Sequence, residues 1–458
     1  MRYIEQEARI VWSASDLKAA AECEFAWLRA IDAKIGRVAP VDDPEDATLE
    51  RAARLGTAHE LRVLDDDRAR FGAAVREIPA ARSSDAQALA EAVRLTDEAL
   101  ADPSVEVVYQ AAFATDEFVG FADFLVRESD ASPEGTRRWI VQDTKLARRA
   151  RVTALMQLAA YVDQLDRLGV PRADEVQLLL GDGSTSTHRV DDLLPVFGLR
   201  RERLRALIAD RRVELGVAGP AIAWGDARGD LGVIACGRCA TCELEVVAHR
   251  DLLLVAGMRP VQRDRLRAGG IETIDQLASA PTAPAAMSAD TFASLRTQAR
   301  LQLESPAGVP GGDAPASAVP TFEVVAPKSL GVLPRPDHGD LFFDFEGDPL
   351  YTEGVGEHWG IDYLFGWVDT RETYGAIWAH TFEEERVALE RFLDMVALRR
   401  QQYPGMHIYH YAPYEPTHLL TMAARYGVRE ADVDRLLRDG VFVDLYPVVR
   451  RAPRVGSR

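Results

Sequence analysis

Lysine is nearly missing from this chain. Of 54 basic residues in 458, only Lys18, Lys34, Lys145 and Lys328 are lysines; the rest are arginine. An ammonium group can therefore do chemistry at only four places. Basic charge as a whole is also in deficit, with a formal net charge of −18. That excludes a general nucleic-acid coat, which needs a basic surface. It leaves room for a metal-dependent enzyme, whose ions supply positive charge where carboxylates gather. Any track for a polyanion must then be local and built from arginine. No run approaches the roughly 18 uninterrupted apolar residues of a membrane span. The opening Met1-Arg2-Tyr3-Ile4-Glu5-Gln6-Glu7 lacks the apolar core of a signal peptide. No membrane partner is expected, and the cytoplasm is the natural home for thiols spaced for a metal rather than for disulfides.

Cysteine is scarce too, but its four copies are not scattered. Cys23 stands near the start, and Cys236, Cys239 and Cys242 form a C-x2-C-x2-C run. Three thiolates on one tight loop plus a distant fourth make a ligand set for an iron–sulfur cluster or a structural Zn2+. The plainer alternative is a buried small hydrophobe at Cys23 and an accidental triplet.

Residues 1–248 read as one mixed α/β unit. Serine N-caps at Trp12-Ser13-Ala14-Ser15-Asp16-Leu17 precede a helix carrying Leu17, Ala20, Ala21, Cys23 and Leu28. Helices are expected over 86–100 and 152–168, and strands over 105–113, 117–126, 139–143 and 175–180. The sheet should be largely antiparallel and flanked by helices. Residues 249–304 read as all-helical, with glycine turns at Gly257 and Gly269-Gly270. Residues 305–336 form a linker, with Ser305 to Pro320 rich in Pro, Gly, Ala and Ser. A second α/β unit occupies 337–458, with strands over 341–345, 363–368, 407–411 and 443–446 and a helix over 383–399. No internal repeat is evident.

Between the cysteines lies a constellation of acids and bases. Asp123 sits in the apolar run Gly120-Phe121-Ala122-Asp123-Phe124. Asp143 and Lys145 are two apart in Trp139-Ile140-Val141-Gln142-Asp143-Thr144-Lys145, hence on one strand face. Gln157 and Tyr161 lie one turn apart on the next helix. Upstream, Gly56-Thr57-Ala58-His59-Glu60 opens a helix bearing a histidine. Phosphodiester hydrolysis needs a divalent ion to polarise the phosphate and acidify a water, so two carboxylates must converge on Mg2+ or Mn2+. A neighbouring lysine can orient or deprotonate that water and offset transition-state charge.

The ordered set His59, Asp123, Asp143-x-Lys145 and Gln157-x-x-x-Tyr161 resembles the RecB-type branch of the PD-(D/E)xK nucleases. The bracketing cysteines are similar to those of the iron–sulfur AddB-type and CRISPR-adaptation exonucleases. The opening Ser13-Ala14-Ser15-Asp16-Leu17 and the following Cys23-Glu24-Phe25 also match how such domains begin. The resemblance covers residues 10 to about 245. It implies a restriction-endonuclease-like core in which His59, Asp123 and Asp143 ligate the catalytic metal, Lys145 serves the water, and Gln157 and Tyr161 hold DNA. It also implies a [4Fe–4S] cluster on the four cysteines, with Zn2+ as the alternative. The last cysteines depart from the relatives' usual C-x2-C-x5-C spacing.

Downstream, Val255-Ala256-Gly257-Met258 and Gly269-Gly270-Ile271-Glu272-Thr273-Ile274 resemble a helix-hairpin-helix. Such a pair either contacts DNA phosphates or simply packs two helices. Phe342-Phe343-Asp344-Phe345-Glu346 resembles motif one of the DEDD exonucleases of the RNase H-like fold, and two carboxylates on one strand face suit two-metal chemistry. Tyr409-His410-Tyr411-Ala412-Pro413-Tyr414-Glu415 is similar to motif two, with Glu415 where aspartate is usual. Asp444 is a further acid in Val443-Asp444-Leu445-Tyr446. The fourth acid has no counterpart before Arg458, where Val449 to Arg454 reads as basic and unstructured. This unit is therefore expected to be incomplete, either truncated or a non-catalytic platform.

The whole order resembles the bacterial RecB-like nuclease family, whose longer members continue into a superfamily-one helicase. No G-x-x-x-x-G-K-[ST] phosphate loop is present here. The expectation is a Mg2+/Mn2+-dependent deoxyribonuclease acting in DNA repair on single strands or ends. The alternative is a non-catalytic iron–sulfur module that delivers DNA to a helicase partner.

Overall fold

The computed structural model describes residues 1–42, 46–82, 85–128, 137–212, 219–306, 319–354 and 358–457. The chain divides into two compact units, Met1–Glu245 and Val246–Arg458. Most of the expected 305–320 linker falls outside the described residues.

The first unit opens with a small hairpin, β1 (Arg2–Ile4) and β2 (Arg9–Val11), followed by α1 (Ala14–Glu22), α2 (Glu24–Lys34) and α3 (Ala47–Phe71). Next come β3 (Val75–Glu77), α4 (Ala86–Ala101), β4 (Val107–Ala114), β5 (Val119–Arg127), β6 (Trp139–Lys145) and α5 (Val152–Leu168). After these come β7 (Arg172–Leu180), β8 (Thr185–Arg189), α6 (Val190–Arg212) and α7 (Ala240–Ala248). The six strands from β3 to β8 form one sheet in sequence order. Pairing is parallel for β3–β4 and β6–β7 and antiparallel elsewhere, so the sheet is mixed. A buried core including Leu28, Val108, Ala122, Leu125, Leu158 and Leu207 lies between the sheet and the helices α1, α5 and α6. A smaller cluster of Leu64, Val107 and Phe124 seats α3 on the opposite face.

Two expectations change here. The helix expected to run through Cys23 is two helices. Cys23 has extended backbone (φ −161°, ψ 103°), ends α1, and caps α2 by accepting the Ala26 N–H on its sulfur. The helix bearing His59 does not open at Gly56. It starts at Ala47, where Asp46 accepts the N–H groups of Thr48 and Leu49.

The second unit starts with α8 (Pro260–Ala268), α9 (Ile274–Ser279) and α10 (Ala289–Glu304), then β9 (Phe322–Val324). Gly270 at φ 81° makes the turn after α8. The α/β part comprises β10 (Leu341–Asp348), β11 (Ile361–Asp369), β12 (Tyr374–Trp378), α11 (Phe382–Gln402), β13 (Ile408–His410) and α12 (Tyr414–Tyr426). It ends with α13 (Glu430–Arg438), β14 (Phe442–Asp444), α14 (Tyr446–Arg451) and β15 (Pro453–Val455). Its five-stranded sheet has the order β12-β11-β10-β13-β14, antiparallel through the first three strands and parallel from β10 onward.

The segment expected to be unstructured is ordered. Val448 and Ala452 are buried, β15 pairs with β9, and the Ala452 carbonyl accepts the N–H groups of Val325 and Ala326. Apolar anchors every fourth residue outweigh the arginines between them. The strand expected over 443–446 stops at Asp444, because Pro447 and the turn at Leu445 start a helix instead. Part of the expected linker, Phe322–Val324, is likewise a strand.

Candidate functional site

Strand register builds the first site. The β5–β6 ladder runs from Arg127↔Trp139 to Phe124↔Gln142 and ends there. One step further, beyond the last ladder pair, the same register sets Asp123 opposite Asp143, and their carboxyls meet. The neighbouring ladder is irregular at the same level. Tyr109↔Phe124 and Ala111↔Ala122 pair, while Gln110 between them takes φ 57°. A left-handed glutamine costs on the order of 1 kcal/mol, and such strain collects at functional sites.

Burial makes this pairing costly. Asp143 is 1% exposed, and its carboxylate meets the Asp123 carboxyl and Lys145. Its Oδ2 lies 2.5 Å from Lys145 Nζ as an ion pair. Burial pushes the Asp123 carboxyl up to about 9, with the Asp143 carboxylate and Glu60 adding to the rise and Lys145 opposing it. Two carboxyls so placed cannot both ionise without a further cation.

Helices supply the rest. On α5, Tyr161 is 4% exposed, and its hydroxyl titrates well above its usual range through burial and then the charges of Asp123 and Asp143. Gln157 hydrogen-bonds it. Gly120 leaves room for this ring, since a Cβ there would fall 2.9 Å from Tyr161 and 2.7 Å from Phe118. Tyr161 packs its ring against Phe113 and Phe118 and keeps its hydroxyl within reach of the charges of both aspartates.

On α3, the His59 ring is 7% exposed and its Nε2 lies 3.1 Å from the Leu179 carbonyl oxygen, so that nitrogen donates. The other, Nδ1, lies 3.4 Å from an Arg62 guanidinium nitrogen and is left as the acceptor. Sequence reasoning passed over Glu60, whose Oε1 accepts from the Tyr109 hydroxyl and the Gln110 amide, both at 2.8 Å. Its proximity to His59 in the chain was the available signal. Asp123, Asp143 and Lys145 come together here, whereas His59, expected as a third metal ligand, does not join the two aspartates: no group of three or more donors that could share an ion includes it among the described residues.

The cysteines do converge. All four sulfurs lie within 4.8 Å of one another, the only such metal-ligating group among the described residues. Cys23 and Cys242 sulfurs are 3.5 Å apart, and Cys236 and Cys242 sulfurs 3.9 Å. Backbone N–H groups of Ala26, Cys236, Arg238 and Cys239 point at Cys23 or Cys236 sulfur at 3.3–3.4 Å. The Cys23 thiol is held down at about 5 by the neighbouring Cys242 thiol and the N–H groups of Cys236 and Ala26, although burial opposes this. Burial pushes Cys239 up, and Cys23 and burial push Cys242 up. Thiolate stabilised by backbone donors is the form a metal binds.

In the second unit, Asp344 and Glu346 share the outer face of β10. Asp344 titrates above the usual carboxylate range, through burial first and then through Glu415 and Glu346. Glu415, on α12, is 2% exposed, and its Oε2 lies 3.3 Å from His410 Nδ1. His410 Nδ1 donates to the Ala412 carbonyl at 2.7 Å. Burial disfavours its charged form, yet Glu415 and that carbonyl raise its affinity for a proton overall. Asp444 is engaged differently: its Oδ1 accepts the N–H groups of Ala412 and Tyr446. It holds the backbone of the His410–Glu415 turn, where Ala412 takes φ 71°. The structure thus groups Asp344, Glu346 and Glu415, with Asp444 as their brace.

No curated protein matches the chain. A family model of the RNase H superfamily matches residues 341–457, the stretch from β10 through β15. Helices and mixed sheets make the whole chain α/β, and its C-terminal unit carries an RNase H-like domain, a fold that points to nucleic-acid hydrolysis.

Proposed function

We propose that the chain is a metal-dependent nuclease whose first active site is Asp123, Asp143 and Lys145, acting on single strands or ends of DNA. The observation that carries this reading is the Asp123–Asp143 carboxyl pair at the β5–β6 fork, partly exposed at Asp123 and sealed from water at Asp143, with Lys145 Nζ 2.5 Å from Asp143 Oδ2. Structural ion pairs are seldom built from two touching carboxyls, one of them sealed from water, and a single lysine, because the uncompensated charge is costly. A bound Mg2+ or Mn2+ would supply that charge and acidify a water. Asp123 and Asp143 would hold it, while His59 Nδ1 stays engaged with the Arg62 guanidinium. Lys145 keeps its ammonium against Asp143, where it can orient a water and face charge gathering on a phosphate. Glu60 fixes Tyr109 and Gln110 beside Asp123, and Tyr161 closes the floor.

The test uses end-labelled single-stranded DNA with Mn2+. Wild type should release nucleotides and Lys145→Ala should not, with unchanged folding by circular dichroism. Equal cleavage by both proteins rejects this assignment. Binding without cleavage by either would leave the reading in which the chain only delivers DNA to a helicase.

A second reading rests on the RNase H-like domain and its Asp344, Glu346 and Glu415 cluster. It assigns hydrolysis to the C-terminal unit, with a divalent ion on those carboxylates. Asp344→Asn distinguishes the two.

For the cysteines we propose a single tetrahedral ion, Zn2+, in preference to [4Fe–4S]. Zinc–sulfur bonds of about 2.3 Å set neighbouring sulfurs about 3.8 Å apart, close to the 3.5 and 3.9 Å found. A cubane places a separate iron before each thiolate and needs a wider set. Metal analysis of anaerobically purified protein decides: one zinc per chain without visible absorbance supports the ion, and four irons reject it.

A further inference from the structure

We infer that Arg148, Arg149 and Arg151 form a phosphate-binding track that feeds a single strand to the Asp123–Asp143–Lys145 site. This rests on the nuclease reading of that site and adds where its substrate is held.

The three arginines lie in the loop joining β6 to α5, which starts directly after Lys145 and ends one residue before α5, the helix bearing Gln157 and Tyr161. All three are exposed. None forms an ion pair among the described residues, in a unit where arginines are mostly held by acids. Arg137 pairs with Glu106, Arg138 with Glu128, Arg167 and Arg205 with Glu117, Arg201 with Asp163, and Arg203 with Glu24. Arg148 acts weakly on the charge of Asp182, whose carboxylate is already taken by the Ser184 N–H and hydroxyl. In a chain of net charge −18, three exposed cations clustered without acid partners make a local positive patch that attracts a polyanion.

The loop is also held in place. The Gly181 N–H donates to the Ala147 carbonyl at 3.4 Å. Any Cβ on residue 181 would collide with the Leu146 carbonyl oxygen, so glycine there permits the close approach. The arginines are therefore presented from a fixed turn. Three within four positions span at most about 10 Å, which matches two or three successive phosphates of one strand. Guanidinium groups would grip those phosphates without reading bases.

The test measures binding of a fluorescein-labelled thymidine oligonucleotide to the full chain by anisotropy, in EDTA and at several salt concentrations. The variants are the triple Arg148→Ala/Arg149→Ala/Arg151→Ala, the same triple to Lys, and the control Arg76→Ala/Arg82→Ala. The alanine triple should raise Kd on the order of 10- to 100-fold and flatten the log Kd against log salt slope by about 2, at about 0.7 per phosphate contact. The lysine triple and the control should stay close to wild type. With Mn2+ present, the alanine triple should raise KM and leave kcat at saturating DNA. An alanine triple that binds with wild-type Kd and slope overturns the track, as does a wild type that does not bind the strand. A wild type that binds through these arginines but cleaves nothing instead overturns the nuclease reading and leaves the track standing.

Discussion

Two carboxylate clusters in this molecule each seal one acid from water, Asp143 in the first and Glu415 in the second, beside more exposed partners. At the β5–β6 fork, Asp143 is sealed from water, Asp123 retains its proton to about 9, and Lys145 is the local cation. On β10, Asp344 stands on the exposed face; its upward shift comes from burial first and then Glu415 and Glu346, and the nearest base is the imidazole of His410. Desolvation sets how strongly each cluster calls for a metal. The first can scarcely hold two charges without one, while the second is partly relieved by solvent. Similar acids in a row therefore need not mean equal dependence on an ion.

The largest effect should come from Lys145→Ala, which should cost about 10³-fold in Mn2+-dependent cleavage. Asp344→Asn should leave cleavage within about threefold of wild type. An inverted result in the same nicking or end-release assay would reverse the comparison. Next in size, Cys236→Ala should lower the first unfolding transition by on the order of 10 °C, through loss of a folding-linked metal. Calorimetry showing an unchanged transition would remove the structural role of the quartet.

A smaller effect concerns pH. Asp123 has a folded value near 9, above the roughly 3.9 of an unfolded aspartate. Its stabilising contribution is thus complete below about pH 4 and is lost as pH rises toward 9. In EDTA, the melting temperature should fall across that window, and Asp123→Asn should flatten the profile. Mn2+ should flatten it too, by preferring the ionised pair. Smallest, Gly181→Ala should cost about 1–3 kcal/mol by forcing Leu146 away, and denaturant titration would measure it.

The sequence made the fork legible because alternation along a strand puts Asp143 and Lys145 on one face whatever surrounds them. The same local logic placed Asp344 beside Glu346. Glu60 was out of reach, because its role depends on where α3 lands relative to Gln110, a tertiary fact. Cys23 showed in the spacing of thiols but not as a helix break, since nothing in its neighbours is a helix breaker. Val449 to Arg454 reads as unstructured because its arginines mask the apolar anchors Val448 and Ala452, whose burial depends on tertiary contacts. The sheet order of the second unit could not be read from strand runs alone, although residues 341–457 match an RNase H superfamily model.

The break at Cys23 has a mechanical consequence. One sulfur closes α1 and opens α2, and α1 lies against α5, which carries Gln157 and Tyr161. Stripping the quartet, or oxidising its thiols, would slacken that joint and let the floor beneath the two aspartates drift. A chelator strong enough to empty the sulfurs should thus blunt hydrolysis even with manganese in excess, from a distance and without touching a single reacting atom.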